Sequence, residues 1–182
     1  MRMQVGNNES SRRAEEIVQA ARELLEEEGA GALSMRRLAE RLGIRAPSIY
    51  KHVRNKRALE NALISDGFEE AAAAFEHALD DADDPLGALA DAYRLFAGGH
   101  PHLYRLMTER ELDRANLVPG VEQRAARTIY EALGRNEDLA RAAFAFAHGM
   151  TILELNNRFP PTADLDAAWK SGVEALKRAA AG

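Results

Sequence analysis

The sequence predicts an all-α protein: an N-terminal helix-turn-helix domain followed by a larger helical domain. Three observations carry that prediction. Alanine, leucine, glutamate and arginine dominate the chain, while period-two runs of valine, isoleucine and threonine are missing. Apolar residues recur at helical spacing in about nine segments, each bounded by glycine, proline or acidic turn formers. The stretch Ser34–Leu59, SMRRLAERLGIRAPSIYKHVRNKRAL, reads as two short helices joined by a tight turn and followed by the start of a third.

A length of 182 residues allows one large or two small domains, and 46% apolar residues supply an ample core. Cysteine is absent, which excludes disulfides and thiolate metal sites. The apolar patches are alanine-rich and broken by charge, with neither a signal peptide nor a membrane span. A soluble cytoplasmic protein with no membrane partner is expected.

Residues 1–10 are polar and aperiodic and read as a flexible arm. The first helix is predicted over Ser11–Glu28, with Ile17, Ala21, Leu24 and Leu25 as its apolar stripe. Glu26-Glu27-Glu28 reads as a solvated acidic run. The second helix covers Ser34–Leu42. Ser34 can cap it by accepting from an orphan N–H, and Leu38, Ala39 and Leu42 form its inner face. Gly43 supplies a left-handed stop, and Pro47 suits the first turn of the next helix. Ile49 and Val53 then face inward, leaving Arg45, Ala46, Ser48, Tyr50, Lys51 and His52 outward.

The fourth helix starts after Arg54 and extends to about Asp80, where Asp80-Asp81-Ala82-Asp83-Asp84-Pro85 makes a loop. Further helices are predicted over Pro85–Ala97, Pro101–Leu112, Val121–Leu133, Asp138–Arg158 and Leu165–Ala180. The helix over Asp138–Arg158 is apolar around most of its circumference, so it must be buried on several sides. A partner subunit is the natural cover, with Ala140, Ala143, Ala147, Thr151 and Leu155, then Trp169 and Val173 on the last helix, as candidate dimer contacts. The alternative is that these seven form only the core of one chain.

Charge is distributed unevenly. Between Ser34 and Arg57 stand eight basic residues and the single acid Glu40, a net of +7 inside a chain of net −5. DNA binding needs a basic face where the phosphates lie and not a basic protein. The reading set against this is a merely solvated helix surface.

This stretch resembles the DNA-binding domain of the TetR family of transcriptional regulators. The residues that carry the resemblance are Ser34, Ala39, Leu42-Gly43-Ile44, Ser48-Ile49-Tyr50, His52, Lys56 and Leu59. Val53 stands where phenylalanine is common, and Arg45 stands where the family usually places a serine or threonine cap. Ala143–Pro160, with His148-Gly149, is similar to the WHG-type C-terminal domain of TetR-like regulators, without the motif's tryptophan in that segment. The resemblance implies a homodimer on double-stranded operator DNA, a DNA-binding domain over 11–58 and an effector-binding and dimerisation domain over 59–182. It also implies a lever-like fourth helix shared by both.

Side-chain chemistry then divides the DNA-binding candidates. Arg45, Ser48 and Lys51 suit base edges, arginine by its bidentate match to guanine. Ser34, Tyr50, His52 and Lys56 suit phosphates and Arg36 either, with outward-facing Ala46 and first-turn Pro47 completing the DNA-binding candidates. The effector is expected to be small and largely apolar, with Phe68, Tyr93, Phe96, Tyr104, Met107, Tyr130, Phe144 and His148 as candidate contacts; the alternative is that most of these are core. Ala71-Ala72-Ala73-Ala74 offers no histidine where tetracycline-binding members of the family carry one, so tetracycline is not expected. No HExxH, phosphate-binding loop, GxGxxG or nucleophile elbow occurs, so neither an enzyme nor a cofactor is expected. His100, His102 and His148 lack the companions of a metal site, and none is expected. The functional reading is a repressor released from its operator by a small molecule, with a ligand-independent DNA-binding protein as the alternative.

Overall fold

In the computed structural model, the described residues are 3–181 for the backbone and 11–181 for side chains. Among them run nine α-helices and a short 3-10 turn: α1 (Met3–Glu28), α2 (Met35–Arg41), α3 (Ala46–Ile49), α4 (Lys56–Ala78), α5 (Pro85–Gly99), α6 (Pro101–Thr108), the turn Arg114–Asn116, α7 (Val121–Ala132), α8 (Glu137–Leu155) and α9 (Leu165–Ala181). No strand occurs among the described residues, and no helix is long and apolar enough to cross a membrane.

Several helix boundaries depart from the sequence reading, among them the end of α8, which stops at Leu155 rather than Arg158 with Asn157 left-handed at φ +50°. Of the ten residues expected as an arm, 3–10 continue α1, while Met1 and Arg2 lie outside the described residues. No proline interrupts that segment, and extending a formed helix gains one hydrogen bond per residue fixed. The helix predicted to reach Leu112 stops at Thr108, whose hydroxyl donates to the Tyr104 carbonyl at 2.7 Å.

The chain divides into two compact units, Met1–Gly67 with His102–Val118, and Phe68–Pro101 with Pro119–Gly182. The first turns of α4 and all but the first residue of α6 belong to the first unit. Gly67 explains the tight fit there. A Cβ on it would stand 2.6 Å from Met107 Sδ and 2.9 Å from Leu103 Cδ2. Ile17, Leu25, Leu38, Ile49, Leu59, Leu63 and Leu103 are fully buried in this unit.

In the second unit Leu86, Leu133, Ala143 and Val173 form a core joined by Ile129, Leu139 and Ala140. Caps fix the helix starts: Asp84 accepts from Gly87 N–H at 3.1 Å, and Asn136 from Leu139 N–H at 3.0 Å. Lys177 reaches Asp84 at 2.6 Å, tying α9 to the start of α5, and its ammonium holds that carboxyl below the usual range.

Five of the seven expected dimer contacts, Ala143, Ala147, Thr151, Trp169 and Val173, are buried within their own chain. Ala140 packs against the same core, and Leu155 is half-buried. Trp169, 4% exposed, lies at the centre of a polar knot. A buried indole N–H requires an acceptor. Here it donates to Glu154, whose other oxygen takes Arg94 Nε at 3.0 Å, and Arg94 also binds Asp166 at 2.6 Å. Phe146 meets the indole edge to face at 5.4 Å. The outward face of α8 instead carries Ala142, Ala145 and Leu153, the last 40% exposed.

Candidate nucleic-acid interface

The helix-turn-helix is closed by backbone hydrogen bonds. Ser34 is extended at φ −142°, and its Oγ accepts from Arg37 N–H at 3.3 Å, so it caps α2. At the far end Ile44 N–H donates to Ala39 O at 3.0 Å and Gly43 N–H to Glu40 O at 3.2 Å. That crossed pair requires a left-handed residue between them, and Gly43 supplies it at φ +63°. Arg45 opens α3 with no side-chain cap, and Pro47 occupies its first turn. Ile49 and Val53 are buried beneath, so the turn and α3 are fixed from inside.

This arrangement leaves Arg36, Arg45, Pro47, Lys51 and Lys56 exposed and Tyr50 53% exposed, with Ser34, Ala46, Ser48 and His52 half-buried. All ten sequence-derived candidates are therefore accessible, but they are not all on helices. Ser34 and Arg45 are the N-caps of α2 and α3, Arg36 lies on α2, Ala46, Pro47 and Ser48 on α3, and Lys56 opens α4. By contrast α3 ends at Ile49, so Tyr50 is its C-cap and Lys51 and His52 lie in the turn that follows.

The basic count overstates the free charge. Arg41 forks onto Glu27 at 2.6 Å and Glu23 at 3.2 Å, and Arg37 binds Glu28 at 2.6 Å. The acidic run at the end of α1 is thus a landing strip for α2 and not a bare solvated face. The hydrogen bond from Arg41 pulls the Glu27 carboxyl below its usual range. The signal was present in sequence: Glu23 and Glu27 lie four apart on one helix face. Lys56 makes only a loose pair with Glu60 at 3.7 Å and Arg36 one with Glu40 at 3.9 Å. Arg57 is different: its Nε donates to Asp113 Oδ2 at 2.8 Å.

Six effector candidates belong to the second unit. Three of them, Tyr93, Phe144 and His148, form a file of rings with Phe75, which had not been singled out. Phe75 stacks on Tyr93 at 6.0 Å, Tyr93 meets Phe144 at 6.5 Å, and Phe144 stacks on His148 at 5.9 Å. Phe96 packs on His100, and Phe68 and Tyr130 are half-buried. Tyr104 and Met107 fall in the first unit, buried in its core. In the same unit, Thr151 of α8, three residues after His148, and Thr128 of α7 are buried hydroxyls with no hydrogen-bond partner. No group of three or more histidine or acidic side chains able to hold a metal occurs among the described residues.

A capped α2, a glycine turn and a proline-started α3 with cations around it define a helix-turn-helix DNA-binding regulator. The family comparisons agree. The model of bacterial regulatory proteins of the tetR family matches residues 17–63, and that of the tetracycline repressor-like C-terminal domain matches residues 86–176. The chain belongs to the TetR family of transcriptional regulators.

Its resemblance to the class D tetracycline repressor of Escherichia coli is confined to the DNA-binding region: 53% identity over 49 residues, 27% of this chain but only 22% of that repressor. An HTH-type transcriptional regulator of Mycobacterium tuberculosis is 30% identical over 151 residues, covering 78% of this chain and 69% of that protein. Among solved structures, a TetR variant from Acinetobacter baumannii in complex with minocycline superposes with a TM-score of 0.60 at 26% identity, covering 88% of this chain and 91% of that one.

Proposed function

We propose that this regulator is a repressor that binds operator DNA as a homodimer and is released by a small, largely apolar effector. The observation that carries the proposal is the α2–α3 surface, where Arg45 and Lys51 make no ion pair among the described residues and Lys56 is held only loosely. Arg45 and Lys51, with Ser48, read bases; Lys56 anchors a phosphate at the start of α4, where the helix end is also positive. Two such surfaces on a symmetric pair must stand roughly 34–36 Å apart to enter successive major grooves.

Because Ala143, Ala147, Thr151, Trp169 and Val173 are covered within the chain, the proposed dimer uses the outward stripe of α8, Ala142, Ala145 and Leu153, with Ala175 of α9. Small residues let two helices approach closely. The effector is assigned to the second unit. The ring file offers flat apolar contact, and the orphaned Thr151 and Thr128 hydroxyls want a polar group. The minocycline complex of the relative supports a ligand in this family member as well.

The experiment is a gel shift on the promoter next to the protein's own gene, repeated with lipophilic compounds selected by thermal shift. A retarded duplex that is freed by a stabilising compound supports the proposal. A shift that no compound reverses favours ligand-independent DNA binding, and an absence of any shift at low salt rejects both.

A further inference from the structure

In the first unit the residues after α6 run as a strap along one face of α4. Arg57, Asn61 and Ser65, at four-residue intervals, are the rungs. Asp113 Oδ2 accepts from Arg57 Nε at 2.8 Å and from Asn61 Nδ2 at 3.2 Å. Its Oδ1 accepts from Asn116 Nδ2 at 3.0 Å, and five residues further on Val118 N–H donates to Ser65 Oγ at 3.0 Å. Three donors on one carboxylate pull Asp113 down to about 2, so it stays charged throughout the physiological range. Arg57 follows Lys56 directly at the start of α4, and its side chain is still 65% exposed. Beside it, Glu60 holds Arg110 at 2.9 Å and Lys56 only at 3.7 Å. The two neighbouring cations are therefore treated unequally, Lys56 held only loosely by Glu60 and Arg57 already satisfied by Asp113.

We infer that Asp113 is a positioning residue that withholds Arg57 from the phosphate backbone, its carboxylate standing in for a phosphate. The strap 113–118 thereby sets how many phosphates each protomer neutralises. This rests on the DNA-binding reading above, and adds to it a cation held in reserve.

Salt dependence measures phosphate contacts directly, since each one neutralised contributes about −0.9 to the slope of log affinity against log salt. The test is fluorescence anisotropy of a labelled operator duplex with the full chain, from 50 to 200 mM NaCl. For Asp113→Asn, freeing Arg57 steepens the slope by about 0.9 per protomer. For a dimer, the fourfold salt increase then costs roughly twelvefold more affinity than in the unaltered protein. Arg57→Ala alone leaves the slope unchanged, and Arg57→Ala in the Asp113→Asn background removes the gain. A purely structural role for the strap would lower affinity without steepening the slope. An unchanged or shallower slope for Asp113→Asn overturns the inference. So does a shallower slope for Arg57→Ala, which remains informative even if Asp113→Asn folds poorly, because Arg57 is exposed. Failure of the unaltered chain to bind any duplex at low salt rejects the DNA-binding reading and the inference with it.

Discussion

Gly172, in the middle of α9, is the position where adding one methyl group tests the packing of the second unit most sharply. A Cβ there would press into three ring carbons of Phe146, the most distant of them at 2.8 Å, well inside van der Waals contact. Phe146 in turn is held edge to face against Trp169 at 5.4 Å, so the ring cannot swing aside without leaving the indole. Two effects oppose each other in Gly172→Ala. Helix propensity favours alanine by about 1 kcal/mol. Overpacking costs about 1–3 kcal/mol and the lost aromatic pair about 0.5–1.5 kcal/mol. The clash wins, for a net loss of about 2 kcal/mol, or a fall in Tm of roughly 4–8 °C for a chain of this size. The assay is thermal and urea unfolding of four proteins: the unaltered chain, Gly172→Ala, Phe146→Ala and the double variant. With the ring gone the clash is gone, so Gly172→Ala should become stabilising by about 1 kcal/mol in the Phe146→Ala background. If the substitution has the same sign in both backgrounds, Phe146 is not what requires glycine there.

Three other outcomes are expected. Lys56→Ala weakens binding to all duplexes alike, whereas Arg45→Ala costs roughly 1–3 kcal/mol at one base position and relaxes preference there; anisotropy against a panel of single-base operator variants checks the division, which equal losses everywhere would refute. Thr151 is 3% exposed with an unpartnered hydroxyl, so Thr151→Val should stabilise the free protein by about 1 kcal/mol in denaturant unfolding while weakening effector binding; a clear loss of stability would mean that the hydroxyl has a partner in solution. Asp113 titrates at about 2 because Asn116, Arg57 and Asn61 donate to it, below its ordinary 3.8. The unfolded chain therefore binds more protons than the folded one between those values. The strap's contribution is complete above pH 4 and is lost as pH falls toward 2. Carboxyl carbon chemical shifts should show that midpoint, and a normal one would contradict the three-donor geometry.

The sequence by itself determined the features whose causes lie within a few residues of one another. Leu42-Gly43-Ile44 closes α2 because a crossed pair of backbone bonds needs one left-handed residue, and glycine adopts it at least cost. Ser34 caps, Pro47 starts, and Ile49 with Val53 turns inward, all by spacing. The helical class and the placement of the DNA-binding candidates follow from such local rules. Only the tertiary structure decided which charges are available and which faces are covered. Arg41 is spent on Glu23 and Glu27, Arg57 on Asp113, and Trp169 on Glu154, partners that lie 14 to 56 residues away. Periodicity shows that a side chain such as Ala147 or Val173 must be buried. It cannot say whether the cover is the same chain or a second one, because both remove apolar surface from water equally well.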